Sequence, residues 1–210
     1  KACKVDNMKE TVFKLNNIDK FYNQGEHNEI QVIKDFNLEI KEKEFVCLIG
    51  PSGCGKSTLL RMLSGLERPT NGEIYHRNEL LMKPKKDIGM VFQNYSLMPW
   101  LSVEDNIALG LKFQNLSQEK QKEIVDEYLN IIGLNKFRKN KPYELSGGMQ
   151  QRVAIARSLA NDPDIVLMDE PFGALDAYTR IQLQKELLRT WETHKKTIVF
   201  VTHSVDEAIY

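Results

Sequence analysis

The feature that most constrains the fold is a glycine-rich loop between an apolar run and a helical pattern. The run Phe45–Ile49 is short and almost entirely apolar, which is typical of a strand covered on both faces in a parallel sheet. Gly50–Ser57 then matches the pattern G-x-x-x-x-G-K-[ST], and Ser57–Leu66 has the periodicity of a helix. A chain with strand, loop and helix in this order is expected to form an α/β domain.

This loop has the chemistry needed to hold a chain of phosphates. Glycines let the backbone curl so that its N–H groups converge on phosphate oxygens, and the start of the helix adds a partial positive charge. Lys56 supplies a charge for the β- and γ-phosphates, and the Ser57 hydroxyl can ligate Mg²⁺. The alternative is a turn that binds nothing, but the flanking strand and helix argue against it. We therefore predict that ATP and Mg²⁺ bind along the whole loop: Gly50, Pro51, Ser52, Gly53, Cys54, Gly55, Lys56, Ser57 and Thr58.

Two carboxylates follow a second apolar run. Ile165–Met168 ends in Asp169 and Glu170, and the ends of strands in open α/β sheets face the ligand crevice. Asp169 is predicted to hold Mg²⁺, directly or through water, and Glu170 to orient or deprotonate an attacking water. Two acids after a strand are by themselves more often a helix cap or a solvated turn. The phosphate loop in the same chain favours the functional interpretation.

The rest of the chain divides into strand-rich and helical parts. Phe36–Ile40 and Glu73–Tyr75 have the pattern of half-exposed strands, whereas Thr197–Val201 is nearly all apolar. Ile88–Phe92 is a further predicted strand, which ends at Gln93. From Asn94 to about Pro163 only helical patterns occur, which predicts a helical subdomain inserted between strands. One predicted helix there is capped by Ser117, ends at Gly133 and carries the apolar stripe Ile124, Tyr128, Ile131 and Ile132. A further helical pattern covers Ile181–Trp191.

Composition excludes several classes of protein. Basic and acidic residues both number 29, so the net charge of zero gives no electrostatic footprint for nucleic acid. Three cysteines fit neither a zinc pattern nor a disulfide framework, and Cys47 is expected to be a buried apolar residue. No run reaches the ~18 apolar residues of a membrane span, so any membrane link is expected to go through a partner. Ser204–Ile209 resembles the start of a helix, so we expect a chain that continues beyond Tyr210.

The segment Leu145–Gln150 carries a resemblance to a known family. Its sequence, L-S-G-G-M-Q, resembles the signature motif of ABC-type ATPases, usually written LSGGQ, and Met149 is a departure often seen among importer subunits. Ser146 with the N–H groups of Gly147 and Gly148 opens a predicted helix, Gln150–Leu159. The resemblance implies that these three residues contact the γ-phosphate of a nucleotide held by a second subunit. It covers the chain from about Thr11 to Ile209.

The same resemblance implies roles for four further positions. Tyr22 sits where the family has an aromatic that stacks on adenine, with Phe21 as a nearby rival. Gln93 resembles the glutamine that reaches magnesium and the attacking water, and His203 resembles the histidine that senses the γ-phosphate. Ala174–Asp176 resembles a loop that touches the opposite subunit. The implied catalytic residues are then Lys56, Gln93, Glu170 and His203, and the implied magnesium ligands are Ser57, Gln93 and Asp169.

The implied fold is a P-loop NTPase domain with an N-terminal antiparallel β subdomain and an inserted helical subdomain. A single domain spans 11–210, in which 11–93 and 164–210 form the catalytic α/β core and 94–163 the helical subdomain, with 1–10 as an N-terminal extension. The implied partner is a second ATPase subunit, either an identical copy or a paralogue, which packs head to tail.

Asn94–Val103 indicates which branch of the family the chain resembles. The segment carries two aromatics, methionine, leucine and proline in a polar loop, which suits either packing of the helical subdomain or a docking groove. In ABC importers this segment receives a helix of the membrane permease, expected here near Ser96–Leu101. The turn is similar to that of subunits for nitrate, sulfonate and taurine uptake. This implies a peripheral protein on the cytoplasmic face of the membrane, a substrate-binding protein as an indirect partner, and no nucleic acid.

Three other functions are weighed against import. ABC ATPases of chromosome maintenance insert a long coiled coil, for which the stretch from Lys56 to Ser146 has no room, and their excision-repair relatives carry zinc-binding cysteines. Translation-factor ABC proteins carry two ATPase domains in one chain. A binding-only nucleotide sensor is disfavoured because Lys56, Asp169, Glu170 and His203 are all present.

Overall fold

The computed structural model describes residues 10–173, 175, 177, 180–182, 184, 185 and 195–204. Among the described residues, eight strands form two four-stranded sheets, one antiparallel and one parallel. Four α-helices whose full length is described lie on and beside these sheets. The strands are β1 Thr11–Tyr22, β2 Ile30–Lys41, β3 Phe45–Ile49, β4 Asn71–His76, β5 Glu79–Leu80, β6 Ile88–Val91, β7 Ile165–Asp169 and β8 Thr197–Thr202. The helices are α1 Lys56–Leu63, α2 Val103–Ala108, α3 Gln118–Ile131 and α4 Gly147–Ala160.

The antiparallel sheet has the strand order β2-β1-β4-β5. Its two predicted half-exposed strands lie inside β2 and β4, as the alternation of their side chains indicates. Phe13, Leu15 and Ile18 of β1 are almost completely buried and pack with α1 and with Leu167 and Val199 of the other sheet. The predicted antiparallel part of the fold is therefore confirmed, and its core is shared with the α/β part.

The parallel sheet has the order β3-β8-β7-β6. Every residue of β7 and β8 is buried, as expected for central strands. The prediction that β3 is equally covered is wrong, because Ile49 is 51% exposed and the rest of the strand, including Cys47, is only half-buried. The reason is position, since β3 is the last strand on its side of the sheet among the described residues.

Helix α1 starts at the phosphate loop and is shorter than predicted, ending at Leu63 rather than Leu66. Gly65 ends it, because its φ of +74° is left-handed and a Cβ there would lie 2.5 Å from the Lys83 backbone. The helix buries Leu59, Leu60, Met62 and Leu63 against both sheets.

Residues 94–163 contain helices and three short 3₁₀ turns, at Leu111–Phe113, Asn135–Phe137 and Pro142–Glu144, and no strand. Ser117 caps α3 as predicted, its Oγ accepting a bond from Lys120 N at 3.2 Å. The predicted apolar stripe is partly wrong: Ile132 is buried and Ile124 and Tyr128 are half-buried against the helical core, but Ile131 is 42% exposed. The fully buried residues Val125, Leu129 and Ile132 keep the i, i+4, i+7 spacing of one helix face, one residue further along than Ile124, Tyr128 and Ile131.

Helix α4 begins at Gly147 rather than at the predicted Gln150. The hydroxyl of Ser146 accepts a bond from Met149 N at 3.3 Å, which draws both glycines into the first turn. One face of α4 packs into the helical core, and the other packs Ile155 and Leu159 against the parallel sheet. Within the described ranges no helix has both the length and the apolar character of a membrane span.

We predict that Leu129→Ala lowers the free energy of unfolding by about 2–5 kcal/mol, because a fully buried leucine leaves a cavity in the helical core. Ile131→Ala, two residues along the same helix, is the matched control and should cost less than about 1 kcal/mol. Urea denaturation of both variants measures the difference. Equal losses would contradict the observed phase of the helix.

Candidate active site

The loop Gly50–Thr58 curls tightly between β3 and α1. Gly53 and Gly55 have φ of +81° and +95°, which lie in the left-handed region that glycine adopts without cost. At Gly55 the space is also closed, because an added Cβ would lie 2.9 Å from Val32 Cγ1 and 3.0 Å from the Val32 carbonyl oxygen. Both backbone conformation and packing therefore require glycine at this point of the loop.

Lys56 places its ammonium group over the loop. Its Nζ donates to the carbonyl oxygens of Gly50 at 2.7 Å and Pro51 at 2.8 Å, and it lies 3.8 Å from Cys54 Sγ. These partners are neutral, and bonds from an ammonium group to phosphate oxygens are stronger than bonds to neutral acceptors. The lysine is therefore held at the loop and can exchange its carbonyl partners for phosphate.

Ser57 and Asp169 bring two oxygen atoms together at the foot of the loop. Ser57 Oγ donates to Asp169 Oδ1 at 3.0 Å. An octahedral Mg²⁺ site with bonds of 2.0–2.1 Å separates adjacent ligand oxygens by about 2.9 Å, so this pair fits the ion in both chemistry and spacing. Burial raises the pKa of Asp169, the bond from Ser57 opposes that shift, and the nearby charge of Glu170 adds to it.

The carboxylate of Glu170 lies between two other predicted site residues. Gln93 Nε2 donates to Glu170 Oε2 at 3.0 Å, and His203 Nδ1 lies 3.5 Å from Glu170 Oε1. Gln93, Glu170 and His203 come just after β6, β7 and β8, which are neighbouring parallel strands. Their carboxyl ends meet at one sheet edge, which brings the three side chains together. Glu170 itself has a left-handed φ of +47°, a strained conformation for a residue other than glycine.

A cavity of about 320 Å³ opens beside the loop. Tyr22 lies on its wall, with its hydroxyl 3.3 Å from Thr58 Oγ1, and burial raises the pKa of Tyr22. Among the described residues, Phe21 does not line this cavity. The lining residues are Tyr22, Val32, Ser52, Gly53, Gly55, Lys56, Ser57, Thr58, Gln93 and Glu170.

The signature residues lie elsewhere in the same chain. In the part of the chain that the structure describes, Ser146, Gly147 and Gly148 do not line the cavity at the phosphate loop. Ser146 is exposed at the start of α4, so the positive end of that helix faces outward. Ala174 and Asp176 of the predicted partner-contacting loop lie outside the described residues.

Two residues near the site were not predicted to be site residues. Val32 lines the cavity although its sequence pattern is that of an ordinary strand residue, and no sequence signal indicates that β2 passes under Gly55. Tyr95 lies against the signature segment, because a Cβ added to Gly147 would be 2.9 Å from the Tyr95 hydroxyl. The position of Tyr95, two residues after Gln93, is the sequence signal that could have indicated its place near the site.

We predict that ATP protects Cys54 from alkylation, because the thiol is exposed and lies beside Lys56 in the loop. In a Cys3→Ser/Cys47→Ser background, ATP at 100 times its Kd should slow labelling by iodoacetamide by about 100-fold. AMP lacks the β- and γ-phosphates and serves as the control, with little expected protection. A labelling rate that saturating ATP leaves unchanged would contradict phosphate binding at this loop.

The chain matches known proteins over most of its length. Residues 33–173 match the family model described as ABC transporter. An aliphatic sulfonates import ATP-binding protein of Bacillus cereus is 48% identical over 196 residues, which cover 93% of this chain and 76% of that protein. A nitrate import ATP-binding protein of Synechococcus elongatus is 49% identical over 180 residues, covering 85% of this chain and 66% of that protein.

A solved structure shares the same fold. It is a dimeric, post-hydrolysis state of an ATP-binding cassette bound to ADP and Pi, with a TM-score of 0.86 and 41% identity over 93% of this chain and 90% of that one. These matches confirm the predicted resemblance and the predicted α/β fold class. Since the family model spans more than half of the chain, the chain belongs to the ABC transporter family, as one of its ATP-hydrolysing, ATP-binding cassettes.

Proposed function

We propose that this chain is the ATPase subunit of an importer, in which ATP closes a head-to-tail pair of cassettes and hydrolysis reopens it. The observation that carries the proposal is the meeting of Gln93, Glu170 and His203 beside the phosphate loop, whereas Ser146–Gly148, among the described residues, do not line the cavity there. By this proposal one chain brings together the residues that act on a γ-phosphate, and only the signature contact implied by the family resemblance has to come from elsewhere. A second copy or a paralogue, turned head to tail, would supply that contact.

Ser57 and Asp169 are the residues that would hold Mg²⁺. When bound, the ion neutralises phosphate charge and fixes the orientation of the β- and γ-phosphates. Gln93 is proposed as the third residue that contacts the ion. Because its Nε2 donates to Glu170, its amide oxygen is the atom proposed to make this contact. Ionised Asp169 is the form that binds a cation. Because burial raises its pKa, acidification should weaken the cation site at a higher pH than it would for an exposed aspartate.

Glu170 is proposed to orient and deprotonate the attacking water. Gln93 holds one oxygen of its carboxylate, which leaves the other oxygen, near His203, to accept a proton. His203, whose side chain is 60% exposed, is free to turn toward a γ-phosphate. Lys56 would stabilise the negative charge that develops on the transferred phosphoryl group.

The permease is proposed to dock beside Ser96–Leu101. A groove of about 540 Å³ lies there between the parallel sheet and the helical segment. Phe92, Met98 and Leu109 form an apolar part of its wall, and Phe113 at its edge is 82% exposed. Such a surface suits the apolar face of a partner helix. Trp100, 69% exposed, extends the apolar surface of this segment.

The direction of transport follows from the relatives. Two of them are import ATP-binding proteins, for aliphatic sulfonates and for nitrate. By this proposal the chain sits peripherally on the cytoplasmic face of the membrane. A substrate-binding protein and the permease would select the cargo, and this chain would supply the energy.

We predict that Glu170→Gln lowers ATP turnover by about 10²- to 10⁴-fold, because the amide cannot accept the proton of the attacking water. ATP binding should persist, since the phosphate loop is unchanged. Phosphate release and equilibrium nucleotide binding measure the two effects. Glu127→Gln, an exposed site on α3, is the matched control and should keep full turnover. Wild-type turnover in Glu170→Gln would remove Glu170 from the mechanism.

We also predict that a photo-crosslinker on Trp100→Cys labels the permease encoded beside this chain when the two are purified as a complex. The same probe on Lys122→Cys, on the exposed side of α3, is the control and should not label it. The ratio of crosslinked permease in the two samples is the measurement. Equal labelling would argue against docking at Ser96–Leu101.

A further inference from the structure

The loop that follows Gln93 is held by the guanidinium group of Arg157 on α4. Arg157 of α4 donates from Nη1 to the carbonyl oxygen of Ser96 at 2.7 Å and from Nη2 to that of Tyr95 at 3.1 Å. A planar guanidinium suits this paired contact, and a lysine ammonium cannot reproduce it. One side chain thereby fixes two successive peptide groups of the loop.

Ser96 has the backbone conformation that this contact requires. In an extended chain, successive carbonyl groups point to opposite sides. Ser96 instead has a left-handed φ of +50°, so the carbonyls of Tyr95 and Ser96 can both face the same guanidinium. Its Oγ donates to the Asn94 carbonyl oxygen at 2.7 Å, which further tightens the turn. The backbone of the loop therefore presents both carbonyl oxygens to the guanidinium group of Arg157.

The charge of Arg157 is satisfied by backbone groups rather than by a carboxylate. Burial lowers the pKa of Arg157, and none of the carboxylates that the structure describes forms an ion pair with it. Arg157 is half-buried, and among the described residues its guanidinium bonds the two backbone carbonyl oxygens of Tyr95 and Ser96, which partly offset the cost of desolvating the charge. An arginine on a helix surface would ordinarily leave its charge in solvent. Here the guanidinium instead bonds the loop, which indicates that it holds the loop in place.

The same loop touches the start of α4. Tyr95 places its hydroxyl against Gly147, where an added Cβ would lie 2.9 Å away. Gly147 and Arg157 are separated along α4 by about 15 Å at 1.5 Å per residue. The loop is therefore tied to both ends of the helix, and one of those ends is the signature segment Ser146–Gly148.

We propose that Arg157 is a positioning residue that makes the Gln93 loop and the signature segment move as one unit. Gln93 bonds Glu170 at the nucleotide site, and two residues later the chain is clamped to α4. We call the contact of Arg157 with the carbonyl oxygens of Tyr95 and Ser96 the clamp. A change at the γ-phosphate would thus reach Ser146–Gly148 through the clamp rather than through the sheet. The proposal rests on the head-to-tail closure proposed above, because it concerns the presentation of the signature segment to the second copy.

The first test measures the clamp itself, in monomer without nucleotide. Hydrogen exchange of the amides of residues 94–98 should be about tenfold faster in Arg157→Lys than in wild type. Arg152→Lys is the matched control, since Arg152 also lies on α4 and donates to a carbonyl, that of Ile132 at 2.8 Å, away from this loop. Unchanged exchange in Arg157→Lys, or equal acceleration in Arg152→Lys, would overturn the proposal.

The second test measures coupling. Arg157→Lys should bind ATP as monomer with wild-type affinity, and its protein concentration for half-maximal specific turnover should rise about tenfold. Arg152→Lys should leave that concentration unchanged. A purely structural role would instead lower the melting temperature and leave the concentration curve in place, which would contradict the proposal.

A second pair of variants acts from the loop side and leaves α4 intact. Ser96→Val disfavours the left-handed conformation and should reproduce the effect of Arg157→Lys. Ser96→Gly loses the Oγ bond to Asn94 but accepts that conformation, so its effect should be clearly smaller than that of Ser96→Val. Identical behaviour of the two Ser96 variants would overturn the proposal. If wild-type specific turnover is itself independent of protein concentration, the proposed head-to-tail closure fails. The exchange experiment still decides whether the clamp exists.

Discussion

The rest of the site depends on the pairing of three parallel strands. β6 pairs with β7 and β7 with β8 in parallel register, so the chain leaves all three at the same edge of the sheet. Gln93, Glu170 and His203 are among the first residues beyond that edge. Because β7 and β8 are completely buried, this edge is a rigid base. The polar groups are held in place by an apolar interior.

The phosphate loop reaches the same place by a different route. β3 pairs with β8, so the loop that follows it opens beside His203 and Glu170. The antiparallel sheet then closes the site from the side, with Tyr22 of β1 on the cavity wall and Val32 of β2 under Gly55. The nucleotide cavity is thus formed by both sheets, whereas the signature segment belongs to the helical part. α4 joins these parts, because its opposite faces pack on the parallel sheet and on the helical core.

Local patterns explain why much of this was predictable from the sequence. The loop from Gly50 to Thr58, the strand-end acids and the cap at Ser117 are features of short segments, and the structure has them where the sequence places them. The predictions of burial that were wrong depend on contacts between residues far apart in the sequence. Exposure of Ile49 depends on which strand lies at the sheet end, and the phase of α3 depends on what Leu129 packs against. The contact of Arg157 with Ser96 joins residues far apart in sequence, so no periodicity could reveal it.

The central claim is that a complete site needs two chains, and complementation tests it most directly. Lys56→Ala removes the charge of the phosphate loop, and Ser146→Arg blocks the signature segment, so each variant alone should have almost no turnover. A mixed pair of these variants contains one site with both walls intact, so an equimolar mixture should recover up to about one quarter of wild-type turnover if subunits pair at random. Phosphate release from the two variants and their mixture is the measurement. A mixture no more active than its components would contradict a site shared between two chains.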